Sequence, residues 1–159
     1  MSTPETRSRT KETPRRFSLA MRLILPAVWL GIIVAIDGFE APLKFQAPGM
    51  TIPLGLGIGK LVFTAMNAAE IILAVWLLCS ALRTKFVHPD LGWVWALIGL
   101  LALKVAVVRP MLNIRTEAVI AGEAAPFGYM HSVYIVVDFL IVVTLVVYLW
   151  RQSRLLINP

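Results

Sequence analysis

The run from Leu61 to Leu82, LVFTAMNAAEIILAVWLLCSAL, is apolar and carries a single charge, Glu70, near its middle. As a helix rising about 1.5 Å per residue it is roughly 33 Å long, enough to cross a hydrocarbon core of about 30 Å. A carboxylate halfway across a bilayer costs about 2.5–3.5 kcal/mol on insertion scales, so it demands a partner or a proton. Any fold for this chain has to supply one of the two.

Three other stretches have the same character. Phe17 to Ile36 contains LILPAVWLGIIVAI, with Pro26 expected to kink it and Gly31 to allow close helix approach. Leu91 to Val108 is stopped by Arg109-Pro110, and Tyr129 to Trp150 is closed by Arg151 and Arg154. The chain is 58% hydrophobic, above the roughly 45–50% of soluble domains. The expected fold is all-α: a polytopic membrane protein with four transmembrane helices in an antiparallel bundle.

Between the spans, residues 1–16 are polar and basic and read as a disordered cytoplasmic tail. Residues 37–60 are hydrophobic but hold Pro42, Pro48 and Pro53, which predicts an outer connector that is interfacial or partly re-entrant. Residues around Arg115, Glu117 and Glu123 read as a loop. With the N-terminus inside, the inner side collects the five basic residues of the tail together with Arg22, Arg83, Lys85, Arg151 and Arg154. The outer side keeps Lys44, Lys60, Arg109 and Arg115. This asymmetry predicts both termini in the cytoplasm, in an integral protein of a bacterial inner membrane. Trp93, Trp95, Tyr148 and Trp150 read as interfacial anchors.

Several function classes lose support. The net charge of +6 sits at span ends and is not interleaved with aromatics, so nucleic-acid binding is not expected. The lone Cys79 rules out an internal disulfide and reads as a buried, inert thiol. The two histidines, His88 and His131, fall on opposite faces, so neither a metal site nor a bis-histidine haem is expected, and no cofactor is implied. GLGIG at 55–59 lacks the preceding strand and the following Lys-Ser/Thr of a phosphate loop; tight helix packing explains it better. Ser80 and Ser132 have no histidine–acid partners, so the chain is not expected to be an enzyme.

The chemistry concentrates in two helical stripes and one lysine. Lys60, Thr64, Asn67 and Glu70 are spaced by 4, 3 and 3, and His131, Tyr134 and Asp138 by 3 and 4. Counted by helical rise, Glu70, Lys104 and Asp138 reach a similar layer from three helices. With Asn67 they form the expected intramembrane polar site. Glu40, Lys44, Lys60, Arg109, His131 and Tyr134 are outer-mouth candidates. A structural salt-bridge cluster is one reading. The other is that two acids around one base leave a carboxylate able to carry a proton or a cation. The function classes that follow are proton- or cation-coupled transport or export of a small solute, and a non-catalytic accessory or scaffold subunit touching lipid or a quinone. The expected partners are the lipid bilayer and either further copies of the chain or another membrane protein.

Trp29 and Gly31, then Ala41, Pro42 and Phe45, then Gly57, Gly59 and Phe63 follow a pattern over the first half of the chain. In it the chain resembles a family of small four-helix membrane proteins of unknown function that includes the eukaryotic transmembrane protein 205. A further likeness, through the glycine before Lys44-Phe45 and through Glu70, is to the DoxX-like four-helix proteins. Neither resemblance brings a catalytic residue. The first implies a role in export or membrane trafficking, through its eukaryotic member's link to metal-drug resistance.

Overall fold

The computed structural model describes residues 4–83, 90–123 and 128–157, with side chains described between 17 and 155 of these. All regular structure among the described residues is helical. Helix α1 is Pro4–Ile33, and a π-helical segment, Val34–Glu40, joins it to the short α2, Ala41–Lys44. Helix α3 is Ile52–Arg83. Helix α4, Leu91–Leu103, passes through a second π segment, Lys104–Val108, into α5, Arg109–Ile120, and α6 is Tyr129–Ile157. Four continuous stretches, Phe17–Lys44, Ile52–Arg83, Leu91–Ile120 and Tyr129–Leu155, are long and apolar enough to cross a membrane. Helix α1 packs on α3 and α6, and α4 packs on the same two, so the four rods surround one core. Trp29, Ile33, Met66, Leu77, Leu97, Ile141 and Leu145 fill it. Ile72, Val75, Trp76, Val136 and Phe139 face outward, because these helices are apolar all round and a lipid-facing side needs no polar cover.

The helices run further than the sequence predicts. From Pro4 on, the expected disordered tail is helical; Pro4 takes the first helical position, where its missing N–H costs nothing, and Arg, Lys and Glu are good helix formers. The expected connector over 37–60 shrinks to residues 45–51. Pro42 fails to end the first rod because the π segment precedes it: the Ala41 N–H bonds to the Ile36 carbonyl, one residue further back than in an α-helix. Pro53 lies in the first turn of α3, where proline is tolerated. Thr51 caps that turn, accepting from the Leu54 N–H at 3.4 Å.

Arg109-Pro110 likewise does not stop the third rod. The Arg109 N–H reaches the Lys104 carbonyl, and Pro110 enters α5 in its first turn. The supposed loop holding Arg115 and Glu117 is therefore helix. It ends at Gly122 (φ +78°), where the Glu123 N–H bonds back to the Ala118 carbonyl at 2.9 Å.

Smaller corrections follow from packing. Tyr148, expected as an interfacial anchor, is 1% exposed, since it lies on the inward stripe of α6 with Ile141 and Leu145. Trp95 and Trp150 do face outward. Cys79 is exposed on the outer apolar side of α3, not buried. Nothing approaches Gly31, so it is not a close-contact site. Gly55 and Gly59 are: a Cβ on Gly55 would lie 2.3 Å from the Phe45 ring, and one on Gly59 would lie 2.9 Å from Lys44 Nζ.

At one end of the bundle, Ser18 and Ser80 clamp α1 to α3. Each hydroxyl donates to the other residue's carbonyl, at 2.8 and 2.7 Å, and Arg22 donates to the Ala81 carbonyl at 3.0 Å.

Candidate functional site

Midway along the rods, Lys104 is fully buried at the start of the second π segment. Its ammonium donates to Glu70 Oε2 at 2.9 Å and to Asp138 Oδ1. It also stands 5.1 Å from the centre of the Tyr134 ring, a cation–π contact. Glu70, fully buried on α3, receives a second donor on Oε1, the Trp29 indole N–H at 2.9 Å. Both Glu70 oxygens are thus held by strong donors, one of them charged, as a carboxylate requires. Four rods contribute: Trp29 from α1, Glu70 from α3, Lys104 from the second π segment and Asp138 from α6.

A further acid belongs to this layer. Asp37, projecting from the first π segment, faces Asp138 closely enough to share a hydrogen bond and feels the charges of Lys104 and Glu70. Asp37 Oδ1 and Asp138 Oδ2 are buried acceptors that no donor reaches. Two carboxylates so placed bond to each other only through a proton on one of them. Asn67, one turn from Glu70, is buried and its Oδ1 likewise meets no donor.

Glu70, Lys104 and Asp138 therefore come together as the sequence places them, and Asn67 is buried one turn from Glu70 on the same helix. Two residues fall elsewhere than expected. Tyr134, assigned to the outer mouth, is 3% exposed and within reach of Asp138, one helical turn away. Asp37, read as part of the connector, belongs to the centre. The signal for it lay in α1: Arg22, Leu25, Trp29 and Ile33 make a buried stripe in steps of three and four, and Asp37 continues it. Trp29 donates the hydrogen bond that spacing alone did not foretell.

The remaining mouth candidates gather at the end away from Ser18 and Ser80. Glu40 pairs with Lys44 at 3.3 Å, and Lys60 pairs with Glu117. Arg109 is 7% exposed and spends its guanidinium on neutral acceptors, the Lys60 carbonyl at 2.9 Å and the Thr64 hydroxyl at 3.2 Å. Lys44, Lys60, Arg109, Arg115 and His131 all line one cavity of about 310 Å³. The other expected histidine, His88, lies outside the described residues.

The cavity and the buried centre are joined by aromatic rings. Phe63 lines the cavity, with Lys44 Nζ 5.3 Å and the Arg109 guanidinium 5.6 Å from its ring centre. Its ring packs edge-on against Tyr134 at 5.6 Å, and Tyr134 underlies Lys104.

Among the described residues no three His, Cys, Asp or Glu side chains converge as a metal site. In the centre itself the Lys104 ammonium occupies the point between Glu70 and Asp138 that an inorganic cation would need. The group this arrangement is suited to accept is a proton. Comparison with protein-family models, curated proteins and solved structures returns no match, so what the chain does has to be read from its own residues.

Proposed function

We propose that this chain is a small proton-coupled membrane transporter whose proton-binding centre is Asp37, Glu70, Lys104 and Asp138. One observation carries the proposal: two carboxylates, Glu70 and Asp138, hold a single buried ammonium, a third, Asp37, lies beside Asp138, and two of these acids' buried oxygens meet no donor. With every acid ionised the centre would hold two uncompensated negative charges in a low-dielectric layer, a cost of several kcal/mol per ion. Lys104 and Glu70 neutralise each other. Asp37 and Asp138 then form the exchangeable part, joined by one proton and made neutral by a second. Loading and unloading that pair changes the charge of the bundle core, which gives a proton gradient something to act on.

The basic residues at the span ends support an antiparallel bundle with both termini cytoplasmic, which puts the cavity on the outer side. The centre closes within a single bundle, so no second copy is needed to complete it. The accessory-subunit alternative draws on polar stripes that face outward; Asn67, Glu70, Tyr134 and Asp138 are buried, which favours an internal centre, while Thr64 and His131 at the mouth end of the same stripes are exposed.

Reconstitution into liposomes loaded with a pH-sensitive dye tests the proposal. A potassium diffusion potential should drive proton entry through the wild-type protein, and Asp138→Asn should reduce that entry at least tenfold. Wild-type vesicles as proton-tight as protein-free ones, or an Asp138→Asn protein that conducts like wild type, would sink the proton reading.

A further inference from the structure

The cavity beside Phe63 tells what kind of solute such a transporter would take. Among the described residues its lining includes Lys44, Lys60, Arg109, Arg115 and His131 and no carboxylate. The nearby acids are already engaged, Glu40 with Lys44 and Glu117 with Lys60. Arg109 remains a permanent charge, more than nine-tenths buried, whose partners are the Phe63 ring and two neutral oxygens, a carbonyl and a hydroxyl. A buried guanidinium with neutral acceptors favours an anion at its free edge, and its planar fork suits carboxylate, sulfonate or phosphate. Asn113 and Thr116 add neutral polar groups, and the remainder of the wall is apolar, chiefly Phe45, Leu56, Phe63 and Leu112. At about 310 Å³ the space lies at the small end of ligand pockets, which run from about 300 to 1,000 Å³.

We infer that this cavity binds a small organic anion with an apolar body, the acid head against Arg109 and the body against Phe63 and Leu112. As the solute of the proposed transport, the inference rests on the proton reading given above; as a binding site, it is tested separately. The same chemistry, an anionic head on an apolar body, is offered by a phospholipid. The size of the cavity favours the single-chain, water-soluble source.

Octanoate is a suitable probe. Equilibrium dialysis of labelled octanoate against the full-length protein in a non-ionic detergent should show a saturable component above micelle partitioning. Arg109→Gln should weaken it at least tenfold, and octylamine, of equal length and opposite charge, should fail to displace it. Thr116→Phe, which fills the cavity without removing a cation, should abolish it while leaving the unfolding temperature near wild type. This second variant keeps the inference testable where Arg109→Gln does not fold. Purely non-saturable uptake, or undiminished binding by Thr116→Phe, would overturn the inference. Displacement of octanoate by phosphatidylglycerol at lower concentration than octanoate itself would overturn the water-soluble source and make this a lipid-headgroup site. Asp138→Asn separates the two claims: octanoate binding should persist within about twofold while proton entry is lost. Loss of proton entry without any saturable octanoate site removes the cavity inference alone; octanoate binding without Asp138-dependent proton entry removes the transport reading alone.

Discussion

Replacing Lys104 with methionine is the most informative single change to the centre. The side chain is fully buried, and methionine fills nearly the same volume, so the packing loss is small. The electrostatic loss is large. Glu70 and Asp138 lose their shared cation, Glu70 keeps only the Trp29 indole, and Asp138 keeps only the neighbourhood of Tyr134 and Asp37. Removing one partner of a buried ion pair costs about 3–5 kcal/mol, because the surviving charge stays uncompensated. For a domain of this size each kcal/mol moves the unfolding midpoint by about 2–4 °C, so Lys104→Met should lower it by about 6–20 °C. Thermal unfolding in a non-ionic detergent, followed by intrinsic tryptophan fluorescence, reads this directly.

Two controls give the prediction its force. Since protonated carboxyls carry no charge, the deficit of Lys104→Met relative to wild type should shrink as the pH falls. The triple variant Lys104→Met, Glu70→Gln, Asp138→Asn removes the stranded charges along with the cation. Replacing a whole buried ion cluster by neutral groups of similar volume is often neutral or stabilising, so the triple variant should regain most of the lost stability. A Lys104→Met midpoint within about 2 °C of wild type, or a triple variant no better than the single one, would refute the electrostatic account of this centre.

Other contacts make smaller, separable predictions. Trp29→Phe keeps a ring in the core but deletes the donor to Glu70 Oε1; losing a hydrogen bond to a charged group should cost about 1.5–3 kcal/mol, read as a lower midpoint in the same melt. Gly55→Ala places a methyl group 2.3 Å from Phe45 Cε1, and overpacking of this kind should cost about 1–3 kcal/mol while weakening saturable octanoate binding, since Phe45 lines the cavity. Lys60→Gln breaks an exposed ion pair with Glu117 and should change stability by no more than about 1 kcal/mol; a larger loss would mean that the pair is shielded from solvent.

Glu70, Lys104 and Asp138 were legible in the sequence because spans are periodic and depth can be counted from their ends. The same counting misplaced Tyr134. Its distance from the start of the fourth span pointed to the mouth, while its four-residue spacing from Asp138 set it against the centre, and spacing was the better guide. Asp37 escaped for a different reason. Pro42 signals an end to the first span near Ile36, whereas the stripe of α1 runs on into the π segment as far as Asp37. Arg109-Pro110 signals the end of a span in the same way, although its rod continues to Ile120. The two differences share a cause: in each rod a π segment carries the helix past its proline. The cavity was not legible at all, since its lining comes from segments far apart in the chain, and no spacing reports on their meeting.

The two prolines that misled the sequence reading also account for the position of the charges. An α-helix carrying proline in its interior loses one hydrogen bond and suffers a clash with the carbonyl four residues back. In this chain both such sites are preceded by a π segment, Val34–Glu40 before Pro42 and Lys104–Val108 before Pro110, and in each the closing N–H reaches five residues back. A π turn adds a residue without ending the rod. Asp37 lies within the first such segment and Lys104 opens the second, and both serve the buried centre. Beyond each segment the same rod lines the cavity, through Pro42 and Lys44 in one and Arg109, Leu112 and Arg115 in the other. The π segments carry both rods past their prolines, so each rod supplies side chains to the acidic centre and, further along, to the cationic cavity, with Phe63 and Tyr134 between the two sites.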